Sequence, residues 1–232
     1  ISTILSPDGR RLLTFASGDN RVRVFPYADM LVERQALIAA EAPLLAELES
    51  QAAAAINNQD FVGALRLLSE ALRIDPDGAV KLNDRAIAHY RTGNPQAAVN
   101  DLVSALRLDP AYVQGLRNLG DILRLEGDSE TAIEYYTRGI EINPNIAPLH
   151  NSRGVANANL ERFELAAEDF AAAIAVDPNY AQAYINRAFI LSFIDRNVEA
   201  LASLESYIAL VGEANLTARE TELLASLREA TE

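Results

Sequence analysis

The chain has 232 residues, half of them hydrophobic and 23% charged, with a net charge of −13. That length suits one elongated domain or a domain plus a small appendage; a mean hydropathy of zero and no apolar run near ~18 residues exclude a membrane-spanning helix. The lack of cysteine excludes disulfides, thiolate metal sites and a cysteine nucleophile, and the acidic balance argues against nucleic-acid binding, which needs clustered Lys and Arg.

The chain opens on Ile1, so it is expected to be a fragment or a trimmed chain. Ile1–Arg10 carries charges and a turn where an export signal would need an apolar core. Residues 1–27 hold four arginines and two aspartates, so the remaining chain carries −15. Two turn signals, Pro7-Asp8-Gly9 and Gly18-Asp19-Asn20, divide this stretch into three short runs of strand-like alternation. The pattern predicts a small antiparallel β segment over 1–27. From the SPDG turn through the GDN turn it resembles the closing part of a WD-repeat propeller blade, with Phe25 and Pro26 where that family usually has Trp and Asp. Residues 28–42 then read as a linker helix, ended by Pro43, which also opens the next helix.

A 34-residue repeat follows. Pro76, Pro110, Pro144 and Pro178 each close one phrase: LRIDP, LRLDP, IEINP, IAVDP. Twelve residues before each proline stands alanine (Ala64, Ala98, Ala132, Ala166), and Ala200 keeps the phase. Eight before is bulky: Leu68, Leu102, Tyr136, Phe170, with Leu204 in phase. Twenty-four before is small: Ala52, Ala86, Gly120, Gly154, with Ala188 in phase. Small residues let two helices approach, and proline, which has no N–H to donate, ends the second helix of each hairpin. Short turns at Gln59-Asp60, Gly93-Asn94 and Gly127-Asp128 offer Asp60, Asn94 and Asp128 as N-caps.

This pattern resembles the tetratricopeptide repeat (TPR) family over residues 45–212. The resemblance implies a mainly α fold, a right-handed α-solenoid of five hairpins over 43–214, with 215–232 as a C-terminal capping helix. Leu223, Leu224 and Leu227 lie at helical spacing in that cap. Terminal repeats are expected to depart from the pattern, because an end unit has one unpartnered face.

No nucleotide-binding, zinc-protease or nucleophile-elbow motif occurs. Catalytic residues, metals and cofactors are accordingly expected to be none, and His89 and His150 read as packed residues rather than ligands. The resemblance implies instead a concave groove lined by the first helix of each repeat. Its columns hold Asn83 and Arg91 in repeat 2, Arg117, Asn118, Asp121 and Arg124 in repeat 3, Asn151 in repeat 4, and Asn186, Phe189 and Phe193 in repeat 5. A ladder of primary amides can both donate to and accept from an extended peptide backbone. The three arginines suit carboxylates. Ile185, Phe189 and Phe193 form a stripe that is either an anchor for a partner or core beneath the cap.

The expected function is a non-catalytic protein-interaction module that takes a peptide or protein segment with acidic and hydrophobic residues. No nucleic acid and no membrane insertion are expected. The alternatives are a spacer or self-association element of a larger WD-repeat/TPR protein, and a regulatory domain of a fused or partner enzyme. A cysteine-free chain with no visible export signal points to the cytoplasm. Arg85 and Asp101, and again Arg153 and Asp169, are sixteen residues apart, whereas repeat 3 has Leu119 and Tyr135 there. Each Arg is predicted to bridge to the Asp of its own repeat.

Overall fold

The computed structural model describes residues 2–5, 11–16 and 19–232, with side chains from Met30 onward. The expected turn at Pro7-Asp8-Gly9, and Gly18 of the second turn, lie outside the described residues. The chain divides into two compact parts, residues 1–81 and 82–232.

In the first part, β1 (Ser2–Leu5), β2 (Arg11–Ala16) and β3 (Asp19–Pro26) pair antiparallel in the order β1-β2-β3. Ile4 stands opposite Leu13, and Leu13 opposite Val24, with a register shift between Phe15 and Ala16. Helix α1 (Tyr27–Ala40) leads into α2 (Ala42–Asn57), whose first turn holds Pro43. Helix α2 packs on α3 (Phe61–Ile74) through Ala52 and Leu68, both buried. Lys81 closes this part with two carboxylate contacts, Asp75 at 2.6 Å and Glu49 at 3.1 Å.

The division falls within α4 (Ala79–Arg91). Beyond it follow α5 (Pro95–Leu108), α6 (Val113–Leu125), α7 (Ser129–Ile142), α8 (Ala147–Asn159), α9 (Phe163–Val176), α10 (Ala181–Phe193), α11 (Asn197–Val211) and α12 (Ala218–Thr231). From α5 to α12 each helix packs on the next, and the first helices also meet, α6 on α8 and α8 on α10. The core is therefore a run of adjoining clusters. Ala86, Ala98, Leu102, Leu116 and Leu119 join α4, α5 and α6, and Leu204, Leu224 and Leu227 join α11 to α12.

Inside each hairpin the small and bulky columns compensate one another. Glycine stands opposite an aromatic ring, in Gly120 with Tyr136 and Gly154 with Phe170. Alanine shares its hairpin with leucine at the same positions, in Ala86 with Leu102 and Ala188 with Leu204. A Cβ on Gly154 would lie 2.7 Å from Phe170 Cε1. The smallest residue thus faces the largest side chain, and alanine goes with the smaller leucine.

Each second helix ends two residues before its proline. The intervening Asp75, Asp109, Asn143 and Asp177 are extended, as a residue before proline must be. Each accepts the backbone N–H two residues on, at 3.0 to 3.3 Å. Between the helices of a hairpin the chain turns through a left-handed residue: Gln59, Gly93, Gly127, Glu161 and Asp195, again in phase. Asp60 and Asp128 cap the following helices through Gly63 N and Thr131 N. Asn94 does not cap; its amide turns back to Thr92, and Pro95 holds the first helical position instead.

Both expected bridges are present. Arg85 donates Nε and Nη2 to Asp101, each at 2.7 Å. Arg153 donates Nε at 3.0 Å and Nη2 at 2.6 Å to Asp169, which also accepts from Asn157 at 2.9 Å.

Candidate peptide-binding groove

Four first helices, α4, α6, α8 and α10, carry the expected groove residues within residues 82–232. Their amides are mostly committed to one another. Gln114 Nε2 donates to Asn118 Oδ1 at 3.1 Å, Asn118 Nδ2 to Asn83 Oδ1 at 2.7 Å, and Asn83 Nδ2 to the Asp84 carboxylate at 3.2 Å. The same relay recurs two repeats later, where Gln182 donates to Asn186 and Asn186 to Asn151, both at 2.9 Å. The bonded asparagines are 35 residues apart, one more than the period, because adjacent columns of neighbouring helices face each other.

This corrects the reading of a four-asparagine ladder for a peptide backbone. Asn83 is 2% and Asn151 8% exposed, and their carbonyl oxygens already accept a bond. They are struts between repeats. Asn118 and Asn186 remain partly exposed on the groove side of each strut.

The middle junction is built differently. Asp121 accepts from Tyr136 Oη at 2.7 Å and from Ser152 Oγ at 3.2 Å, and Arg117 approaches it at 4.0 Å. Burial, together with the nearby Asp121 charge, pushes the Tyr136 hydroxyl well above its ordinary pKa. Burial likewise raises the Asp84 carboxyl, with the Asn83 amide opposing it. The nearby Arg124 guanidinium opposes the rise at Tyr136, and the Nε atoms of Arg117 and Arg124 are buried with no hydrogen-bond partner. The groove is therefore mixed in charge rather than a plain basic strip, because Asp84 and Asp121 stand among its arginines.

Between α4 and α6 lies a cavity of about 450 Å3. Ile87, Tyr90, Ile122 and Leu125 form its apolar wall, and Arg91, Asn118 and Asp121 its polar rim. Leu125 is 56% exposed. Ile87, Tyr90 and Leu125 fall in the family's groove columns, whereas Ile122 does not.

The Phe stripe divides. Ile185 is buried with Leu224 and Leu227, and Phe189 packs on the same cluster under the Arg219 guanidinium, 4.5 Å from its ring centroid. Phe193 is 69% exposed and meets the Phe163 ring at 4.7 Å. So α12 covers two thirds of the stripe and leaves its last residue open. Thr217 and Glu220 form a capping box at the start of α12, a T-x-x-E signal present in the sequence but missed there. His150 donates Nε2–H to the Pro144 carbonyl at 2.9 Å, fixing the ring as a structural group.

Tetratricopeptide repeat models match residues 51–117, 113–146 and 147–180, one after another along these hairpins. The chain belongs to the tetratricopeptide repeat family. It is 33% identical over 123 residues to a UDP-N-acetylglucosamine–peptide N-acetylglucosaminyltransferase of Giardia intestinalis, a match covering 53% of this chain and 8% of that protein. The chain thus spans a small part of the curated relatives it matches. Among solved TPR folds it is similar to pilF of Pseudomonas aeruginosa, with a TM-score of 0.72 and 19% identity over 86% of this chain and 87% of that one. It is also similar to YrrB, described as a TPR protein with an unusual peptide-binding site, with a TM-score of 0.60 and 21% identity over 77% of this chain and 88% of that one. At these identities the two structures speak for the fold alone. Among the described residues no helix is long and apolar enough to cross a membrane.

Proposed function

We propose that the first-helix groove holds an extended protein or peptide segment, as a non-catalytic interaction module. The observation that carries this reading is the cavity between α4 and α6, apolar inside with an amide and both charge signs at its rim. A hydrophobic side chain fills it and loses water contact, worth about 1.5–3 kcal/mol for a Leu or Phe. The second N–H of the Asn118 amide, beyond the one given to Asn83, meets a carbonyl of the peptide main chain, and Arg91, Arg117 and Arg124 favour acidic neighbours, with Asp121 setting where along the groove they sit. Asn83 and Asn151 act by holding Asn118 and Asn186 in place, and Phe193 extends the apolar surface beyond Phe189. YrrB's described peptide-binding site supports the same use of the fold.

A second reading is a spacer or self-association element in a larger WD-repeat/TPR protein. It draws on the strand order β1-β2-β3, which suits part of a propeller blade, and on the small share of its relatives that the chain covers. Cytoplasmic placement belongs to the same proposal.

The test is a displayed peptide library selected on the chain, followed by binding measurements on the enriched sequences. Leu125→Glu changes a side chain exposed enough to leave the fold intact. Enriched peptides with a shared apolar residue that lose at least about tenfold in affinity to this variant, a change of about 1.4 kcal/mol, support the groove. No enrichment, or affinity unchanged by Leu125→Glu, refutes it.

A further inference from the structure

The Arg–Asp bridge has a third member in phase that is incomplete. Arg187 follows Arg153 by one period, and Ser203 follows Asp169 by one period. Arg187 donates Nη1 to Ser203 Oγ at 2.8 Å and reaches Glu199 Oε2 at only 3.5 Å. Glu199 is held instead by the fork of Arg196, at 2.7 and 2.6 Å. The Nε of Arg187 is buried without a hydrogen-bond partner, whereas in Arg85 and Arg153 that atom is bonded to the carboxylate.

A cavity of about 300 Å3 opens at this place, lined by Tyr184, Arg187, Ser203 and Ser206 with Ala171 and Ile174 as its apolar wall. It lies between α9, α10 and α11, and none of its lining residues falls among the groove columns. We propose that it is a carboxylate pocket, filled by an acidic side chain of a partner polypeptide that supplies what Asp101 and Asp169 supply in the other two repeats.

The chemistry follows from the two complete bridges. A guanidinium fork recognises a carboxylate with two parallel bonds, and the Arg187 fork has instead a single long carboxylate contact, to Glu199 at 3.5 Å. The Arg187 side chain is 25% exposed, close to the 23% and 24% of Arg85 and Arg153, so its environment is as dry as theirs. Ser203, at 2% exposure, makes the floor dry as well, which strengthens a charge pair over its value in water. The volume is at the small end of ligand sites, room for one side chain rather than a larger ligand. Glu199 is the opposing charge, and the Arg196 fork largely offsets it.

The test is NMR on the whole 232-residue chain, following the Arg187 Nε–Hε signal and the Ser203 and Ser206 amides. Sodium acetate, N-acetyl-aspartate amide, sodium phosphate and sodium chloride are titrated at matched ionic strength. The expected result is a saturable response to acetate and the aspartate amide, with dissociation constants on the order of millimolar, as a single ion pair allows. Ser203→Asp supplies the carboxylate from within, and is expected to weaken acetate binding at least about tenfold while raising the melting temperature. Phosphate binding more tightly than acetate overturns the carboxylate assignment. Chloride and acetate acting alike overturns the pocket, as screening alone. If Ser203→Asp does not fold, Arg187→Gln carries the comparison: a response of the Ser203 and Ser206 amides that persists without the guanidinium also overturns it.

Discussion

Breaking one bridge should cost far more than replacing it whole, and repeat 3 supplies the replacement. Asp169 accepts from Arg153 and from Asn157, and its side chain is 7% exposed. Asp169→Leu leaves the Arg153 guanidinium, 24% exposed, with only the Thr137 hydroxyl at 3.2 Å, and the buried Asn157 amide without its acceptor. Removing one partner of a buried pair costs about 3–5 kcal/mol; solvent at the arginine reduces this to about 2–4 kcal/mol here. At about 2–4 °C per kcal/mol for a chain of this size, the melting temperature should fall by roughly 4–16 °C. Repeat 3 carries Leu119, Leu123 and Tyr135 at the positions of Arg153, Asn157 and Asp169. The triple variant Arg153→Leu, Asn157→Leu, Asp169→Tyr imports that apolar set, and should lie within about 1 kcal/mol of the parent. Urea unfolding followed by far-ultraviolet circular dichroism measures both. Equal losses in the single and triple variants would refute the argument, since the cost would then not come from the orphaned charge.

Three further outcomes are expected. Glu161→Gly relieves a left-handed backbone at φ 58° and should stabilise the chain by about 0.5–1 kcal/mol, while Gly93→Ala, at φ 82°, should destabilise it by about 1 kcal/mol, both read from urea midpoints. Gly154→Ala pushes a Cβ into Phe170 and should cost about 1–3 kcal/mol, recovered in part by adding Phe170→Leu, which recreates the Ala–Leu pair of repeats 2 and 5. The Lys81 ammonium, with the Asp77 N–H, outweighs burial and holds the Asp75 carboxyl below its ordinary value. Its contribution is therefore present above the unfolded value near ~3.9 and lost as pH falls through the lower folded value, so Asp75→Asn should flatten the acid limb of a stability–pH curve below about pH 4.

The fold was legible because every hairpin must bury the same face against a neighbour, which forces small, bulky and proline columns into one period. The Arg85–Asp101 bridge was legible for the same reason: sixteen residues carry the chain from one helix to the facing position on the next. What a single column does not show is which neighbour it faces. The four groove asparagines looked alike in sequence, yet two are buried struts, and only the offset of 35 residues distinguishes strut from surface amide. The turns were legible at Gln59-Asp60, Gly93 and Gly127 but not at Glu161 and Asp195; at Gln59, Glu161 and Asp195 ordinary residues accept the left-handed strain. Coverage of Phe189 by Arg219 depends on how α12 docks, and no local pattern encodes that.

The junctions between repeats should not be equally strong, and the amide relays say where they differ. Asn118 satisfies the Asn83 carbonyl, which is 2% exposed, so Asn118→Ala leaves a dry acceptor unpaired at a cost of about 1–3 kcal/mol. Ser152→Ala at the middle junction removes one bond to Asp121, which keeps the Tyr136 hydroxyl and is partly solvated, so its cost should stay below about 1 kcal/mol. Because repeats exchange stability only with their neighbours, the loss from Asn118→Ala should be local. Hydrogen exchange should accelerate first in α4 and α6, with α10 and α11 near parent rates. Uniform acceleration along the chain, or a Ser152→Ala penalty as large as that of Asn118→Ala, would show that the asparagine struts do not set the strength of the stack.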